Sequence, residues 1–497
     1  MSLLGIDLGT SVCKAAAFSE DGRCLALAAR EYPAPPATAA GLAELDSQAV
    51  WRCTREVIAE VAAATRHDPV TALCAGSMGE AMVPVSRHLK LQGNSILCSD
   101  ARGSEHVAAL ERDFGQAAFY RINPNLLGPN YSLPKLLWLR EHEPERFARA
   151  DKFLLWGDLV PCLLGAEPFT SNSLANRTLL FDLERNDWSD TLLAWSGLDR
   201  RRFGPVVPGG TRVGTVSAAA AAELGLPPGV ALVAGGHDQC CNALGCGAIA
   251  AGTAVCGIGT YECITPVFAR PADSARLLAA RLNQEHHLLP DLYVAFLYNQ
   301  AGALVKWFRD TFCAGEKTAG ADLYARLNAE LPAAPTRLLV LPHFEAPQWP
   351  RHLPDSAGAI LGLHTTTTRG EILKAVMEGA TLYFADSLAA LHEVGAGLTG
   401  LVASGGGAKS DAWLQIKADI FGLPVVRPRT VDAGLAGGAM LAGLATGVFR
   451  SPAEAARAFV HPERTFDPDP GRHAVYQEKL AQFRQLYPAT KNLFKGL

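Results

Sequence analysis

The stretch IDLGTS at residues 6–11 returns later in the chain as CGIGTY at residues 256–261. Aligning the two stretches superposes their Gly-Thr pairs. In both places an apolar strand leads into Gly-Thr and a second apolar strand follows, which is the pattern of a hairpin. Two copies of this element, about half a chain apart, predict a duplicated α/β protein with a cleft between the copies.

The composition is that of a globular protein with more than one core. A chain of 497 residues, 49% hydrophobic and 19% charged, predicts two domains. The formal net charge of −4 provides no broad cationic field. Nucleic acid and anionic membrane surfaces are therefore not expected partners.

The apolar segments are too short for a membrane protein. The N-terminus has no signal-peptide pattern, and the uncharged run 433–449 is shorter than the roughly 20 apolar residues that span a bilayer. We expect a cytoplasmic protein, with a helix over 433–449 whose glycines and alanines allow close packing. The twelve cysteines form no CxxC pair, so we expect them to be reduced and mostly buried.

Three glycine turns follow apolar strands, at 9–10, 259–260 and 405–407. Backbone N–H groups of such turns can hold phosphate oxygens, because glycine lets a phosphate approach closely. Each could also be a tight turn without a ligand. The chain contains no GxxxxGK[ST], and no GxGxxG follows an early strand, which argues against a P-loop enzyme and a Rossmann dehydrogenase. The three turns favour a nucleotide site of another kind.

Two aspartates stand beside glycine clusters. Asp7 ends the first strand, and Asp238 lies in AGGHDQCCNALGCG (234–247) after an apolar run. A carboxylate at a strand end can bind Mg²⁺ or accept a proton. Turn capping is the alternative for either aspartate alone.

Zinc and thiol chemistry are the competing interpretations of the same stretch. His237 with Cys240 or Cys241 offers zinc ligands, but neighbours on a strand point to opposite faces and do not converge on one ion. A cysteine nucleophile needs a base and a lowered thiol pKa, and the sequence indicates neither. We therefore expect carboxylate chemistry at Asp238.

Along nearly its whole length the chain resembles the FGGY carbohydrate kinases, which are ATP-dependent sugar and polyol kinases. Four stretches carry the resemblance: GIDLGTS at 5–11, GTAVCGIGT at 252–260, GAILGLHTTTTRGEILKAVMEG at 358–379 and ASGGGAKSDAWLQIKADIFGLPV at 403–425. The first two are similar to the family's phosphate motifs, the third to its signature and the fourth to its adenosine motif.

The resemblance implies duplicated actin-like (ribonuclease H-like) ATPase domains with a cleft between them. The N-terminal domain is expected over 1–247 and the C-terminal domain over 248–497. The last helix, at about 474–487, is expected to pack on the N-terminal domain.

The resemblance also implies roles for individual residues. Asp238 is the expected catalytic base, and Asp7 and Asp238 are the expected ligands of Mg²⁺. The residues expected to bind ATP are Gly9, Thr10, Ser11, Gly259, Thr260, Ala301, Gly302, Gly406, Gly407 and Asp411. The residues expected to contact the acceptor are Met78, Gly79, Glu80, Asp100, Arg102 and Gln239.

The acceptor motif departs from two familiar patterns of the family. Xylulose kinases usually carry a histidine, and glycerol kinases an arginine, where this chain has Gly79. Because glycine opens volume and removes a charge, we expect an acceptor larger than glycerol, first a ketose such as D-xylulose or a related pentulose or hexulose.

Other interpretations stay open at this point. A polyol kinase is the nearest alternative, and an actin-like ATPase scaffold or a sugar-sensing pseudokinase is the alternative of another class. Dimers are common among such kinases, so a homodimer is expected.

Overall fold

The structure is a computed structural model, which describes residues 1–497 apart from 34–41, 271–273, 317–320, 346–352, 354, 430–431 and 496–497. The chain divides into two compact units. Unit 1 comprises Met1–Ile249, Asn283–Val294 and Thr430–His461; unit 2 comprises Ala250–Leu282, Ala295–Arg429 and Pro462–Leu497. The chain thus first leaves unit 1 two residues beyond the end of the N-terminal domain that the resemblance implies.

The elements are numbered in chain order. The strands are β1 Ser2–Leu8, β2 Val12–Ser19, β3 Cys24–Glu31, β4 Glu44–Leu45, β5 Val70–Ser77, β6 Met82–Val85, β7 Ser95–Ile96, β8 Lys152–Leu155, β9 Thr170–Ser171, β10 Phe181–Asp182, β11 Asp187–Trp188, β12 Val206–Val207, β13 Arg212–Thr215, β14 Ala231–His237, β15 Thr253–Ile258, β16 Tyr261–Phe268, β17 Glu285–His286, β18 Tyr293–Val294, β19 Leu297–Gln300, β20 Leu339–Leu341, β21 Ala359–Leu361, β22 Gly400–Ser404, β23 Val425–Pro428 and β24 Pro462–Phe466. The helices are α1 Ser47–Ala64, α2 Ser104–Phe114, α3 Gln116–Ile122, α4 Ser132–His142, α5 Pro144–Arg149, α6 Trp156–Leu164, α7 Asn172–Ala175, α8 Asp190–Ser196, α9 Ala218–Leu224, α10 Asp238–Gly245, α11 Ser274–Ala279, α12 Gly302–Phe312, α13 Ala321–Ala329, α14 Arg369–Glu393, α15 Asp411–Phe421, α16 Ala433–Ala445, α17 Pro452–Phe459 and α18 Pro470–Thr490.

The central sheet of unit 1 has the order β3-β2-β1-β5-β14-β13. Its first strand pairs antiparallel with β2 and parallel with β5, and β14 continues the parallel part. The two outer strands, β3 and β13, run antiparallel to their neighbours. Apolar side chains of α1 and α6 pack with these strands in one buried cluster, so the sheet gives the unit a rigid centre.

Unit 2 repeats this order as β19-β16-β15-β22-β23-β24. Here β15 pairs antiparallel with β16 and parallel with β22, β23 is again parallel, and β24 is again antiparallel. The outer strand β19 is antiparallel to β16, as β3 is to β2. The predicted duplication of the α/β domain is therefore confirmed strand by strand.

Helix α16 packs so closely in unit 1 that side chains would not fit at several of its contacts. A Cβ atom on Gly437 would overlap the carbonyl oxygen of Cys241 in α10, and one on Gly5 of β1 would overlap that of Leu435. The helix predicted over 433–449 is thus present, and its small residues do bring backbones together. Helices α10 and α16 form one block on the sheet.

The final helix lies in unit 2, so the prediction that it packs on the N-terminal domain is wrong. The Tyr476 hydroxyl of α18 donates a hydrogen bond to Glu378 Oε1 at 2.8 Å, and Lys479 Nζ donates one to Glu378 Oε2 at 2.5 Å. Glu378 is fully buried in α14. The prediction failed because the periodicity of a helix does not reveal which element covers it, and the carboxylate lies 98 positions before Tyr476.

Two further findings bear on the sequence predictions. Ten of the twelve cysteines are buried, in agreement with their placement in apolar runs. Among the residues that the structure describes, no helix combines the length and apolar character needed to cross a membrane.

Candidate active site

Asp238 stands where a strand of unit 1 becomes a helix. Strand β14 ends at His237, and α10 begins at Asp238, so the carboxylate lies in the first turn of the helix. The strand is buried along its whole length, whereas the Asp238 side chain is 30% exposed. Two well-packed elements therefore fix a carboxylate that a small molecule can reach.

The same junction brings His237 to Asp238. A continuous strand, as the sequence predicts here, would place the two side chains on opposite faces. Instead, His237 Nε2 lies 3.2 Å from Asp238 Oδ1. Burial holds the pKa of His237 well below its usual value, and the charge of Arg177 lowers it further. The ring is therefore neutral, and its Nε2 lies in contact with the Asp238 carboxylate.

The carboxyl groups of this region have raised pKa values. Burial raises the pKa of Asp238 to about 8, and the negative charges of Asp7 and Glu80 act in the same direction. Burial likewise raises the pKa of Asp7 to about 7, with a further contribution from Asp432. Burial is thus the main cause of both shifts, and neighbouring carboxylates add to it.

Two charged residues beside Asp7 were not predicted from the sequence. Lys14 lies opposite Asp7 in the β1–β2 register, and its Nζ donates a hydrogen bond to Asp432 Oδ2 at 2.9 Å. Asp432 also caps α16, where its carboxylate accepts from the backbone N–H of Leu435 at 3.4 Å. An aspartate before a helix is a recognisable capping signal, and hairpin register would have pointed to Lys14.

The acceptor motif contains a buried ion cluster that sequence reasoning missed in part. Arg177 Nε donates to Glu80 Oε1 at 2.8 Å, a second guanidinium nitrogen bonds the same oxygen, and Nη1 donates to Glu285 Oε1 at 2.6 Å. All three residues are buried. We call Glu80, Arg177 and Glu285 the acceptor cluster. Only Glu80 was predicted, because its partners lie far along the chain and carry no local motif.

The expectation that Gly79 opens volume is wrong. A Cβ atom at Gly79 would lie 2.7 Å from Arg177 Cγ and 3.0 Å from His237 Cδ2, both closer than ordinary van der Waals contact. The space above this glycine is filled by two side chains from elsewhere in unit 1. The charge thought to be missing is present as well, supplied by Arg177.

Asp100 and Arg102 bind each other. Arg102 donates to the Asp100 carboxylate through Nε at 3.0 Å and Nη2 at 2.7 Å, and through Nη1 to Glu44 at 2.7 Å. The guanidinium lies 4.8 Å over the ring of Trp138. Lys135 Nζ bonds the carbonyl oxygen of Asp100 at 2.7 Å. Hydrogen bonds and the Trp138 ring thus hold Asp100 and Arg102 in place, so they are rigid before any acceptor contacts them.

The two remaining predicted acceptor residues flank this region. Met78 is buried and donates its backbone N–H to the carbonyl oxygen of Leu8 at 3.0 Å. Gln239 is half-buried, and its backbone N–H bonds the Asp238 carboxylate, which opposes the rise of that pKa. The structure therefore joins Met78 to the end of β1 and Gln239 to the start of α10.

In unit 1 the first predicted phosphate turn is the β1–β2 hairpin. Gly9 donates its N–H to the carbonyl oxygen of Val12 at 2.9 Å. Thr10 and Ser11 are exposed at the tip. Their hydroxyl groups are therefore accessible to a ligand.

In unit 2 the corresponding turn joins β15 to β16, and α12 begins on it. Gly302 donates its N–H to the Gly259 carbonyl oxygen at 3.1 Å, and Ala301 donates to that of Thr260 at 3.4 Å. A Cβ atom on Gly302 would overlap the Gly259 oxygen. Four of the predicted ATP-binding residues are thus in direct contact.

The third glycine cluster of unit 2 meets the same turn. A Cβ atom on Gly407 would overlap the side chain of Ile258, the last residue of β15, whereas Gly406 faces open space. Asp411 binds Arg427 at 2.6 Å and also Arg464. It lines a cavity of about 660 Å³ that also includes Asn328, Lys409 and Ala412.

One candidate metal cluster appears among the described residues, and it contains no predicted site residue. Glu105, His106 and Glu141 place their ligand atoms within 4.8 Å of one another. Both carboxylates are largely exposed. In the described part of the chain, His237, Asp238 and the neighbouring cysteines form no such group, so the zinc interpretation gains no support.

Comparisons with known proteins agree with this arrangement. Residues 2–245 match the N-terminal domain, and residues 248–446 the C-terminal domain, of the FGGY family of carbohydrate kinases. The xylulose kinase of Bacillus subtilis (strain 168) is 28% identical over 498 residues, covering 100% of this chain and 98% of that protein.

Two further relatives cover nearly the whole chain. The autoinducer-2 kinase of Klebsiella pneumoniae is 30% identical over 98% of this chain and 93% of that protein. The crystal structure of xylulose kinase from Rhodospirillum rubrum has a TM-score of 0.89 and 27% identity, with 100% of both chains covered.

Proposed function

Because this chain belongs to the FGGY family of carbohydrate kinases, we propose that it transfers the terminal phosphoryl group of ATP to a hydroxyl group of a small ketose. D-Xylulose is the first candidate, since xylulose kinases match the chain from end to end. The observation that carries the proposal is the Asp238 carboxylate, fixed at the start of α10 and accessible beside a neutral imidazole. A cytoplasmic location, where ATP is supplied, belongs to the same proposal.

In this reaction Asp238 takes the proton of the attacking hydroxyl group. Its raised pKa makes its carboxylate a stronger base than an ordinary aspartate. Neutral His237 contacts the carboxylate without adding a positive charge beside it. Positioning and charge neutralisation supply most of the catalysis, because the transition state of phosphoryl transfer is loose.

The residues around Asp238 fit a divalent cation. Asp7 and Asp238 offer carboxylate oxygens, which Mg²⁺ prefers, and the charge of Asp7 helps to raise the pKa of Asp238. We assign Mg²⁺ to these two residues. When bound, the ion neutralises charge on the phosphate oxygens.

The glycine turns are the proposed nucleotide contacts. Thr10 and Ser11 offer exposed hydroxyl groups, and the turn at Gly259-Thr260 offers backbone groups beside the start of α12. Gly406 is the proposed adenosine contact, since a Cβ atom built on it meets nothing within 4 Å. Asp411 forms ion pairs with two arginines. We therefore assign it to the wall of the cavity, where its charge is already balanced.

A second candidate substrate is autoinducer-2. It is favoured by the Klebsiella pneumoniae relative, whose identity slightly exceeds that of the Bacillus subtilis xylulose kinase. The same base and nucleotide contacts would serve either acceptor.

The test is ADP release with Mg²⁺-ATP across ketoses, polyols, aldoses, sugar acids and autoinducer-2, with Asp238→Asn as the inactive control. One acceptor that raises the rate far above the acceptor-free rate, in the wild type alone, supports the proposal and identifies the substrate. A rate that no acceptor changes contradicts it and favours an ATPase scaffold or a pseudokinase. Light scattering on the same sample tests the predicted homodimer.

A further inference from the structure

Arg177 reaches the acceptor motif from a short turn that is firmly held. The turn lies at 176–178, where the Thr178 hydroxyl donates to the carbonyl oxygen of Ala175 at 2.7 Å and accepts from the N–H of Leu180 at 3.0 Å. The next residue, Leu179, has a φ of 62°, a left-handed conformation that bulky residues rarely adopt. The backbone that carries Arg177 is therefore fixed in one conformation.

The side chain of Arg177 is fixed as well. Its guanidinium bridges Glu80 and Glu285 and lies 4.9 Å over the ring of Tyr131. Asn283 Nδ2 donates to the same Glu285 oxygen at 2.8 Å. A planar guanidinium held by two carboxylates and an aromatic ring has little freedom to move aside for a substrate.

The stem of Arg177 lies against the catalytic pair. At Gly79 the nearest foreign atoms are Arg177 Cγ and His237 Cδ2, and His237 in turn contacts Asp238. The wall between the acceptor motif and the proposed base is thus built by the arginine stem and the imidazole. Acceptor atoms cannot occupy that volume while Arg177 is in place.

We propose that Arg177 is a positioning residue that sets the size of the acceptor, by filling the space above Gly79 and holding Glu80 in its place. This inference rests on the proposed ketose kinase activity and deepens it. It predicts that larger ketoses, such as hexuloses, are disfavoured relative to pentuloses while Arg177 is in place. The arginine acts through the shape of the pocket and through Glu80.

The main test is the double variant Arg177→Ala with Glu285→Gln. One positive and one negative charge are removed together, so the formal charge of the acceptor cluster is unchanged, and Glu80 is the one carboxylate of the cluster left without its arginine. Arg177→Lys keeps length and charge but loses the planar fork, and Glu285→Gln alone is the matched control. Arg202→Met, which removes an arginine stacked on Phe147 elsewhere in unit 1, controls for general loss of stability.

The readout is kcat/KM for a four-, a five- and a six-carbon ketose, together with KM for ATP. One carbon more or less in a shaped pocket is worth about 10–200-fold, so we expect the hexulose-to-pentulose ratio to rise about tenfold or more in the double variant. The KM for ATP should stay within about twofold. Arg177→Lys should lie between the double variant and the wild type.

A purely structural role would lower kcat/KM for all ketoses by the same factor. An unchanged hexulose-to-pentulose ratio in a folded double variant therefore overturns the inference. Calorimetric binding of the same ketoses, with a non-hydrolysable ATP analogue, gives the size preference independently of turnover. A wild type that binds pentulose over hexulose without turnover would contradict the proposed function and leave the size inference standing. A wild type that binds both equally would overturn it.

Discussion

The two units share one strand order but treat their carboxylates in opposite ways. In unit 1, Asp7 lies next to the end of β1 and Asp238 begins α10, and burial raises the pKa of both. In unit 2, Glu262 of β16 is fully buried and receives Lys417 Nζ at 2.6 and 2.7 Å. At the position that matches Asp7 in the motif alignment, unit 2 has Gly257.

The difference distinguishes a reactive carboxylate from a structural one. A carboxylate that is already paired with a lysine, as Glu262 is, supports its surroundings and is not available to accept a proton. A carboxylate kept partly exposed among other negative charges costs stability and gains reactivity. The two units therefore share one strand order, and they differ in the residues placed where the strands end.

The largest expected effect is on the reactive side of this comparison. Asp238→Asn should lower kcat by about 10²–10⁴, because a positioned general base is lost, while binding of metal-free nucleotide, measured by calorimetry in EDTA, stays unchanged. Asp190→Asn is the matched control, since Asp190 also opens a helix of unit 1 but its side chain is 73% exposed. Near-normal turnover in Asp238→Asn would remove this residue from the mechanism.

The paired carboxylate of unit 2 should show a large effect on stability. Lys417→Met leaves Glu262 buried without its cation, which typically costs about 3–5 kcal/mol, measured by chemical denaturation. The double variant Glu262→Met with Lys417→Met should recover most of the loss, because no charge then remains buried. Equal stability of the single variant and the wild type would refute a supporting role for the pair.

The α10–α16 block should be sensitive to a single methyl group. Gly437→Ala forces a Cβ atom into the carbonyl oxygen of Cys241, and overpacking of this kind costs about 1–3 kcal/mol. Turnover should fall as well, since α10 carries Asp238. Gly315→Ala, where a Cβ atom meets nothing within 4 Å, should be neutral; similar losses in both would disprove the close approach.

The remaining effect is a pH-dependent change in stability of the metal-free protein. A folded-state pKa of about 8 for Asp238, above its ordinary 3.8, means that its contribution to stability is fully present below pH 3.8 and is lost as pH rises towards 8. The melting temperature of Asp238→Asn, measured by calorimetry in EDTA, should therefore equal that of the wild type at pH 4 and exceed it at pH 8. A lower melting temperature at pH 8 would contradict the raised pKa.

Local patterns predicted the frame well. The Gly-Thr repeats located both hairpins, and α14 starts after a Thr368–Glu371 capping box. Strand, turn and cap are encoded within a few residues, so they can be read from a sequence. The predicted roles of the site residues remain predictions, although the structure brings many of those residues together.

Distant partners could not be read in the same way. Arg177 lies 97 positions from Glu80, and Asp432 lies 418 from Lys14. Only the folded chain shows that a glycine at 79 marks an occupied space rather than an empty one. The volume at a site depends on every side chain that reaches it, whatever its place in the sequence.

The membership of α16 in unit 1 has a consequence for how the protein is made. Strand β1 is synthesised long before the helix that covers its Gly5, which ends only at Ala445. The whole stretch between them must therefore be synthesised before the sheet bearing Asp7 and the helix bearing Asp238 receive this layer. Contacts this far apart in sequence form slowly, so a nascent chain that ends before α16 lacks the element that covers both.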